Sequence, residues 1–256
     1  MERHTRRGAG ADRPPPLPRT AALYLDFDGT LVALAPRPEL VAVTPALQML
    51  LHRLSVLLEG AVAIVSGRSL RDLDLLLRPA MFPGAGLHGA ELRFPDGCQA
   101  EPAAGANTAK VVQSLRARFG KDPRLLIEDK GAAVALHFRQ APERVAECLG
   151  VARELADDAG LDLVIGKKVV ELRPPGADKG LALRMLAGCA PFQGRIPIFV
   201  GDDATDEDGF AAAAALGGYG VKVGLGRTQA RYRCRDVDDV CIWLRASLAE
   251  ERRYGS

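Results

Sequence analysis

Ala21-Ala22-Leu23-Tyr24-Leu25 is an unbroken apolar run, and it stops abruptly at Asp26-Phe27-Asp28-Gly29-Thr30. A strand with no polar alternation must be covered on both faces, which parallel sheets layered between helices provide and half-wet antiparallel sheets do not. The chain is thereby directed to an α/β architecture. The residues that follow agree. Thr44 and Pro45 supply the N-cap and first-turn residue of a helix whose Leu47, Leu50, Leu51, Leu54, Leu57 and Leu58 share one stripe, and Gly60 stops it. A second apolar run, Ala61 to Val65, leads into Ser66-Gly67-Arg68, and Ser69 with Asp72 three residues later reads as a capping box for the next helix.

The same alternation returns late in the chain. It comprises a helix from Asp178-Lys179-Gly180, a strand from Ile196 to Val200, an acidic loop from Gly201 to Asp208, an Ala-rich helix, a strand from Tyr219 to Val223 and a last helix through Trp243 and Leu244. Between the two halves the pattern changes. A helix near Thr108 to Phe119, a hairpin over Leu125 to Phe138 turning at Asp129-Lys130-Gly131, a helix from Pro142 to Asp158 and two strands around Ile165-Gly166-Lys167 suggest an antiparallel α+β module. The expected division is a tail over 1–20, core over 21–104, an inserted domain over 105–175 and core again over 176–256. The tail holds Arg3, Arg6, Arg7, Arg13 and Arg19 with Pro14, Pro15, Pro16 and Pro18, and this composition predicts disorder.

Charge matters mainly for what it excludes. The chain has 34 Lys and Arg against 32 Asp and Glu, and the tail's arginines account for the excess, so the body carries no general electrostatic footprint for nucleic acid. No stretch approaches a membrane span, and no apolar segment backs the N-terminal arginines as in a secretion signal. Five cysteines without a CxxC pair read as reduced thiols with no zinc site. The expectation is a cytoplasmic monomer acting on a small molecule, with no nucleic-acid or membrane partner.

Asp26 and Asp28 are two apart, so in extended chain they point the same way, just past the carboxyl end of a strand where open α/β sheets place their sites. Asp202, Asp203, Asp206, Glu207 and Asp208 follow another apolar strand. Converging hard carboxylate oxygens suit Mg²⁺, which would relieve their mutual repulsion. Lys179 at a helix start is placed to hold a phosphate, and Ser66 offers a hydroxyl at a strand end. Taken singly, each acidic cluster also fits a helix N-terminus, Lys179 a solvated surface lysine and Ser66 a simple turn. Their order, each at an element boundary on one side of a sheet, favours a shared site.

Asp26-Phe27-Asp28-Gly29-Thr30, Ser66-Gly67-Arg68, Asp178-Lys179-Gly180 and Gly201-Asp202-Asp203-Ala204-Thr205-Asp206-Glu207 resemble, in order, the four motifs of the haloacid dehalogenase (HAD) superfamily of phosphotransferases. Leu87-His88-Gly89-Ala90-Glu91, Glu128-Asp129-Lys130-Gly131, Ala135-Leu136-His137-Phe138-Arg139 and Gly166-Lys167-Lys168-Val169-Val170-Glu171-Leu172-Arg173-Pro174 resemble further signatures of the trehalose-6-phosphate phosphatase family. The resemblance covers about residues 21 to 248. It implies a Rossmannoid parallel-sheet core with an inserted α+β cap of the C2 type. It further implies Asp26 as nucleophile, Asp28 as acid and base, and Ser66 and Lys179 as ligands of phosphoryl oxygens. Mg²⁺ would be held by Asp26, the backbone carbonyl of Asp28 and Asp202, with Asp203 and Asp206 in support.

In the cap, Glu128, Lys130 and Glu171 match positions that grip sugar hydroxyls, with turn and strand-edge solvation as the alternative. Arg68, His88 and Gly89 fall near the core site by motif, Glu91 faces either sugar or solvent, and His137 and Arg139 are expected on an exposed strand face. The implied reaction is hydrolysis of trehalose 6-phosphate. Other readings are a phosphatase for sucrose or mannosylglycerate phosphate, or a non-catalytic regulatory homologue.

Overall fold

The computed structural model describes residues 13–100, 108–166 and 168–254. In chain order its core elements begin with β1 (Ala21–Leu25), α1 (Pro45–Leu57), β2 (Val62–Val65), α2 (Leu70–Leu77), β3 (Gly84–Gly86), β4 (Glu91–Arg93) and β5 (Gln99–Ala100). The inserted unit holds α3 (Thr108–Phe119), β6 (Leu126–Asp129), β7 (Val134–His137), α4 (Val145–Ala159), β8 (Asp162–Gly166) and β9 (Val169–Arg173). The chain returns through α5 (Lys179–Ala187), β10 (Ile196–Gly201), α6 (Glu207–Ala215), β11 (Tyr219–Val223), β12 (Tyr232–Cys234) and α7 (Val237–Tyr254). The expected core–cap boundary at residues 104 and 105 and Lys167 of the cap hairpin lie outside the described residues.

The core sheet runs β12-β11-β10-β1-β2-β3-β4-β5, parallel from β12 to β3 and antiparallel over β3, β4 and β5. All five residues of β1 are buried, as the unbroken apolar run requires of a strand with helices on both faces. Local signals start the flanking helices: the Thr44 hydroxyl accepts from the Leu47 amide at 3.2 Å and the Ser69 hydroxyl from the Asp72 amide at 3.1 Å. Helix α1 then buries Leu47, Leu50, Leu51 and Leu54 and leaves Met49 and Val56 exposed, so a charge at Leu51 would break its docking. Each such side chain, fully buried, contributes about 1.5–3 kcal/mol.

The cap sheet is antiparallel throughout, in the order β6-β7-β9-β8. Val134 and Leu136 of β7 and Val170 and Leu172 of β9 join α3 and α4 residues such as Leu115, Phe119, Cys148 and Ala152 in a separate apolar core. Register fixes the other face: Glu128 pairs with Ala135, and Ala135 with Glu171. Since side chains alternate, that face carries Glu128, His137, Val169 and Glu171, and it looks onto the core domain. The expected solvent-exposed face for His137 and Arg139 is therefore corrected, because the cap places its polar face against the core rather than against water.

The tail also differs from expectation. Residues 1–12 lie outside the described residues, but from Arg13 the chain is packed against α7. Arg13 pairs with Asp239 at 2.6 Å, the Trp243 indole donates to the Pro15 carbonyl at 2.7 Å, and the Leu17 amide donates to the Ser247 hydroxyl at 3.0 Å. Leu17 is buried in the main core. One apolar anchor and three polar contacts offset the ordering cost that composition alone suggested would prevail. No helix among the described residues is long and apolar enough to cross a membrane.

Candidate active site

β1 ends at the catalytic candidate Asp26, whose amide continues the ladder to the Val200 carbonyl at 2.9 Å. Its carboxylate accepts from the Thr30 hydroxyl at 3.0 Å and from the Lys179 ammonium at 2.8 Å. Lys179, at the start of α5, also donates to Asp206 at 2.6 Å. Asp26, Asp202 and Asp206 are all buried and bring carboxylate oxygens within 4.8 Å of one another. Glycine is required beside them: a Cβ on Gly29, at φ +84°, would lie 2.4 Å from an Asp202 oxygen.

Electrostatics follow from this crowding. Burial foremost raises the Asp26 carboxyl well above the usual carboxylate range, with Asp206 and Asp202 pushing the same way and Lys179 opposing. Burial opposes the charge on Lys179, but Asp206 and Asp26 outweigh it and raise its pKa. Lys179 bonds two of the three convergent carboxylates, and the donors the group offers are all hard oxygens. That set fits Mg²⁺.

The acidic loop after β10 is held from behind. Asp203 caps the turn Ala204–Asp206 in a reciprocal capping box, and its amide donates to the Asp206 carboxylate at 2.7 Å. Buried Lys222 on β11 donates to the carbonyls of Asp202, at 2.7 Å, and Asp203, at 3.2 Å. Among the metal candidates, Asp206 rather than Asp203 joins the carboxylate group, whereas Asp203 lines the cavity and Asp206 sits behind Lys179.

Asp28 faces the cavity and is gripped by Arg68, whose guanidinium donates to both carboxylate oxygens at 2.6 and 2.8 Å and to the Pro38 carbonyl at 3.2 Å. The same guanidinium lies 5.6 Å from the Phe27 ring centre. Buried Ser66 accepts from the Arg68 amide at 3.2 Å and lines the cavity.

The cap supplies the opposite wall. Lys130 reaches across to the Gly67 carbonyl at 2.7 Å and to Glu171 at 3.3 Å, and Glu171 bonds His88 at 2.9 Å. Burial would raise the Glu171 carboxyl, but Lys130 and His88 outweigh it and hold it down to about 2. Burial lowers His88. His88 Nδ1 has no partner among the described residues, and Lys130 is the ammonium partner of Glu171. Glu128 bonds His137 at 2.8 Å; burial works against its charge, yet His137 and Lys130 hold the carboxyl below its usual value.

One cavity thus collects Asp26, Asp28, Ser66, Lys179, Asp202 and Asp203 from the core with Arg68, His88, Glu128, Lys130 and Glu171. Gly89 is corrected: it does not line the cavity but lets the backbone pass Asp178, whose carbonyl a Cβ would meet at 2.5 Å. Glu91 accepts from the Leu70 amide at the start of α2 at 2.7 Å. Sequence reasoning missed Thr30, Lys222 and the loop through Leu34, Pro36 and Val41. The lysine inside the apolar strand Tyr219–Val223 was a signal available to it, since a buried strand lysine needs a partner.

Comparison with known proteins agrees with this geometry. The sequence model of the Trehalose-phosphatase family matches residues 24–238. Trehalose-6-phosphate phosphatase of Escherichia coli (strain K12) is 40% identical over 232 residues, covering 90% of this chain and 87% of that protein. A probable trehalose-phosphate phosphatase of Sinorhizobium fredii is 47% identical over 205 residues, covering 79% and 77%. The crystal structure of a trehalose-6-phosphate phosphatase related protein superposes with a TM-score of 0.76 at 27% identity, over 90% of this chain and 99% of that one. The match spans both the acidic end of the core sheet and the charged face of the cap, and on that ground the chain belongs to the trehalose-phosphatase family.

Proposed function

We propose that this protein hydrolyses trehalose 6-phosphate to trehalose and phosphate in a Mg²⁺-dependent reaction through an aspartyl-phosphate on Asp26. The observation that carries the reading is the opposition of two chemistries across one cavity. Carboxylates, Lys179 and Ser66 suited to a phosphoryl group face Glu128, Lys130 and Glu171, which are suited to the hydroxyls of a neutral sugar. The 40% and 47% identical relatives named as trehalose-phosphate phosphatases support the choice of sugar.

Asp26 attacks phosphorus through a carboxylate oxygen, forming an O–P bond as the bond to the sugar oxygen breaks. Asp28 delivers a proton to that departing oxygen, then takes one from the water that attacks the aspartyl-phosphate, so that phosphate leaves and Asp26 is restored. Arg68 occupies one acceptor position on each Asp28 oxygen and leaves the others to the sugar oxygen and the water. Lys179 and Ser66 bind phosphoryl oxygens and orient them for in-line attack. Asp26, Asp202 and the Asp28 carbonyl, with Asp206 behind, would hold Mg²⁺, which would supply charge neutralisation at the phosphoryl oxygens. The cap residues bind the leaving sugar and exclude water.

The test is phosphate release with Mg²⁺ from trehalose 6-phosphate, sucrose 6-phosphate and mannosylglycerate phosphate. Trehalose 6-phosphate is expected to have the highest kcat/KM, and preference for either other substrate overturns the assignment of the sugar. Excess EDTA or Asp202→Ala is expected to lower turnover by at least about a hundredfold, and full activity under either condition refutes the metal site.

A further inference from the structure

The cavity has a third wall that neither the core acids nor the cap charges provide. Between β1 and α1 the chain runs through Leu34, Ala35, Pro36, Pro38 and Val41, and all five line the cavity. This wall is apolar, in contrast to the other two. It is also held at two carbonyls by two arginines from different units. Arg68 of the core donates to the Pro38 carbonyl, and Arg139, just past cap strand β7, donates to the Ala35 carbonyl. A second hollow, lined in part by Arg37, Pro123 and Arg124, shares Pro36, His137 and Arg139 with the first. The loop is thereby fastened to both the core and the cap.

A pyranose ring has hydroxyls along its edges and C–H groups across its faces. Charged cap residues suit the edges, and a proline-rich apolar wall suits a face. We infer that residues 34–41 are a specificity-determining wall against the sugar of the leaving group, and that Arg139 is the positioning residue that seats this wall when the cap is closed. This inference rests on the proposed sugar phosphatase reading. The Arg139 bond spans core and cap, so closing the cap and completing the apolar wall are one event. Opening the cap removes the Ala35 carbonyl's partner and loosens the wall when a disaccharide-sized product must leave.

Arg139→Ala, Arg139→Lys and the wild-type protein would be compared in two ways. In steady-state kinetics with trehalose 6-phosphate, Arg139→Ala is expected to raise KM about tenfold with kcat within about threefold, because a binding wall is lost and not a reacting group. Arg139→Lys keeps a donor for a carbonyl and is expected to recover most of the loss. The second readout needs no substrate: exposed Glu39 lies in the segment, and its cleavage by a glutamate-specific protease, followed by mass spectrometry, is expected to be about tenfold faster in Arg139→Ala. An unchanged KM alongside unchanged kcat, or equal cleavage at Glu39 in all three proteins, overturns the inference. If the wild type does not turn over trehalose 6-phosphate, the functional reading falls, and the Glu39 comparison still decides whether Arg139 holds the wall.

Discussion

Asp26, the proposed nucleophile, is held at an electrostatic cost. Its pKa is raised above that of an ordinary carboxyl, so the folded protein favours its neutral form relative to the unfolded chain. Asp26→Asn keeps the shape and one acceptor oxygen for Lys179, turns an amide donor toward the Thr30 hydroxyl, and removes one of three crowded carboxylates. Phosphate release is expected to fall by at least about 10³-fold with a melting temperature no lower than wild type. Residual activity within tenfold, with mass spectrometry excluding deamidation, would remove Asp26 as nucleophile. At this scale the sequence was informative wherever a charged residue ended an apolar strand, as at Asp26 and Asp202. It was less informative about which oxygens converge. Asp203 and Asp206 are equivalent in a string of acids, and only the turn Ala204–Asp206 folds one toward Asp26 and the other toward the cavity.

The cap hairpins meet the core through Glu171, Lys130, His88 and the Gly67 carbonyl, a buried chain of contacts that titrates on the acid side. Glu171 has its carboxyl depressed to about 2, so the stability it contributes is complete above its unfolded value near 4.5 and is lost as pH falls toward 2. The melting temperatures of wild type and Glu171→Gln are expected to differ at about pH 7 and to converge between about pH 4.5 and 2. A gap that stays constant over that range would mean Glu171 has no such depressed value. Elements with local punctuation were legible, as Thr44-Pro45 and Ser69 with Asp72 show for α1 and α2. The antiparallel edge β3, β4 and β5 was not, because its strands are 3, 3 and 2 residues long and one is built from Gly-Ala-Gly, too short for any period to appear. His137 and Arg139 show a different limit: alternation tells which residues leave the strand's apolar core, but not whether water or another domain meets them.

Across the whole molecule, the packed stretch before β1 ties the start of the described chain to α7. Deleting residues 1–19 uncovers Trp243 and Ser247 and removes Leu17 from the core. Urea unfolding of the truncated protein is expected to show a loss of about 2–4 kcal/mol, with kcat/KM unchanged because these contacts lie away from the cavity. Unchanged stability would return this segment to the disorder its prolines suggested. The sheet order has a consequence for synthesis. Strand β1 lies between β2, its neighbour in sequence, and β10, which begins at Ile196. The cap, in contrast, closes its own apolar core within residues 108–173. As the chain leaves the ribosome, the inserted unit can become protease-resistant while β1 still presents an unpaired edge awaiting β10. Stalled nascent chains ending near residue 220, with the last part still in the exit tunnel, are expected to yield a protected cap fragment and a digestible core. Simultaneous protection of both would show that the core does not wait. On this order of events the vulnerable interval in the life of the molecule falls before its central strand has found its second partner, and mutations that slow β10 should lower yield rather than activity.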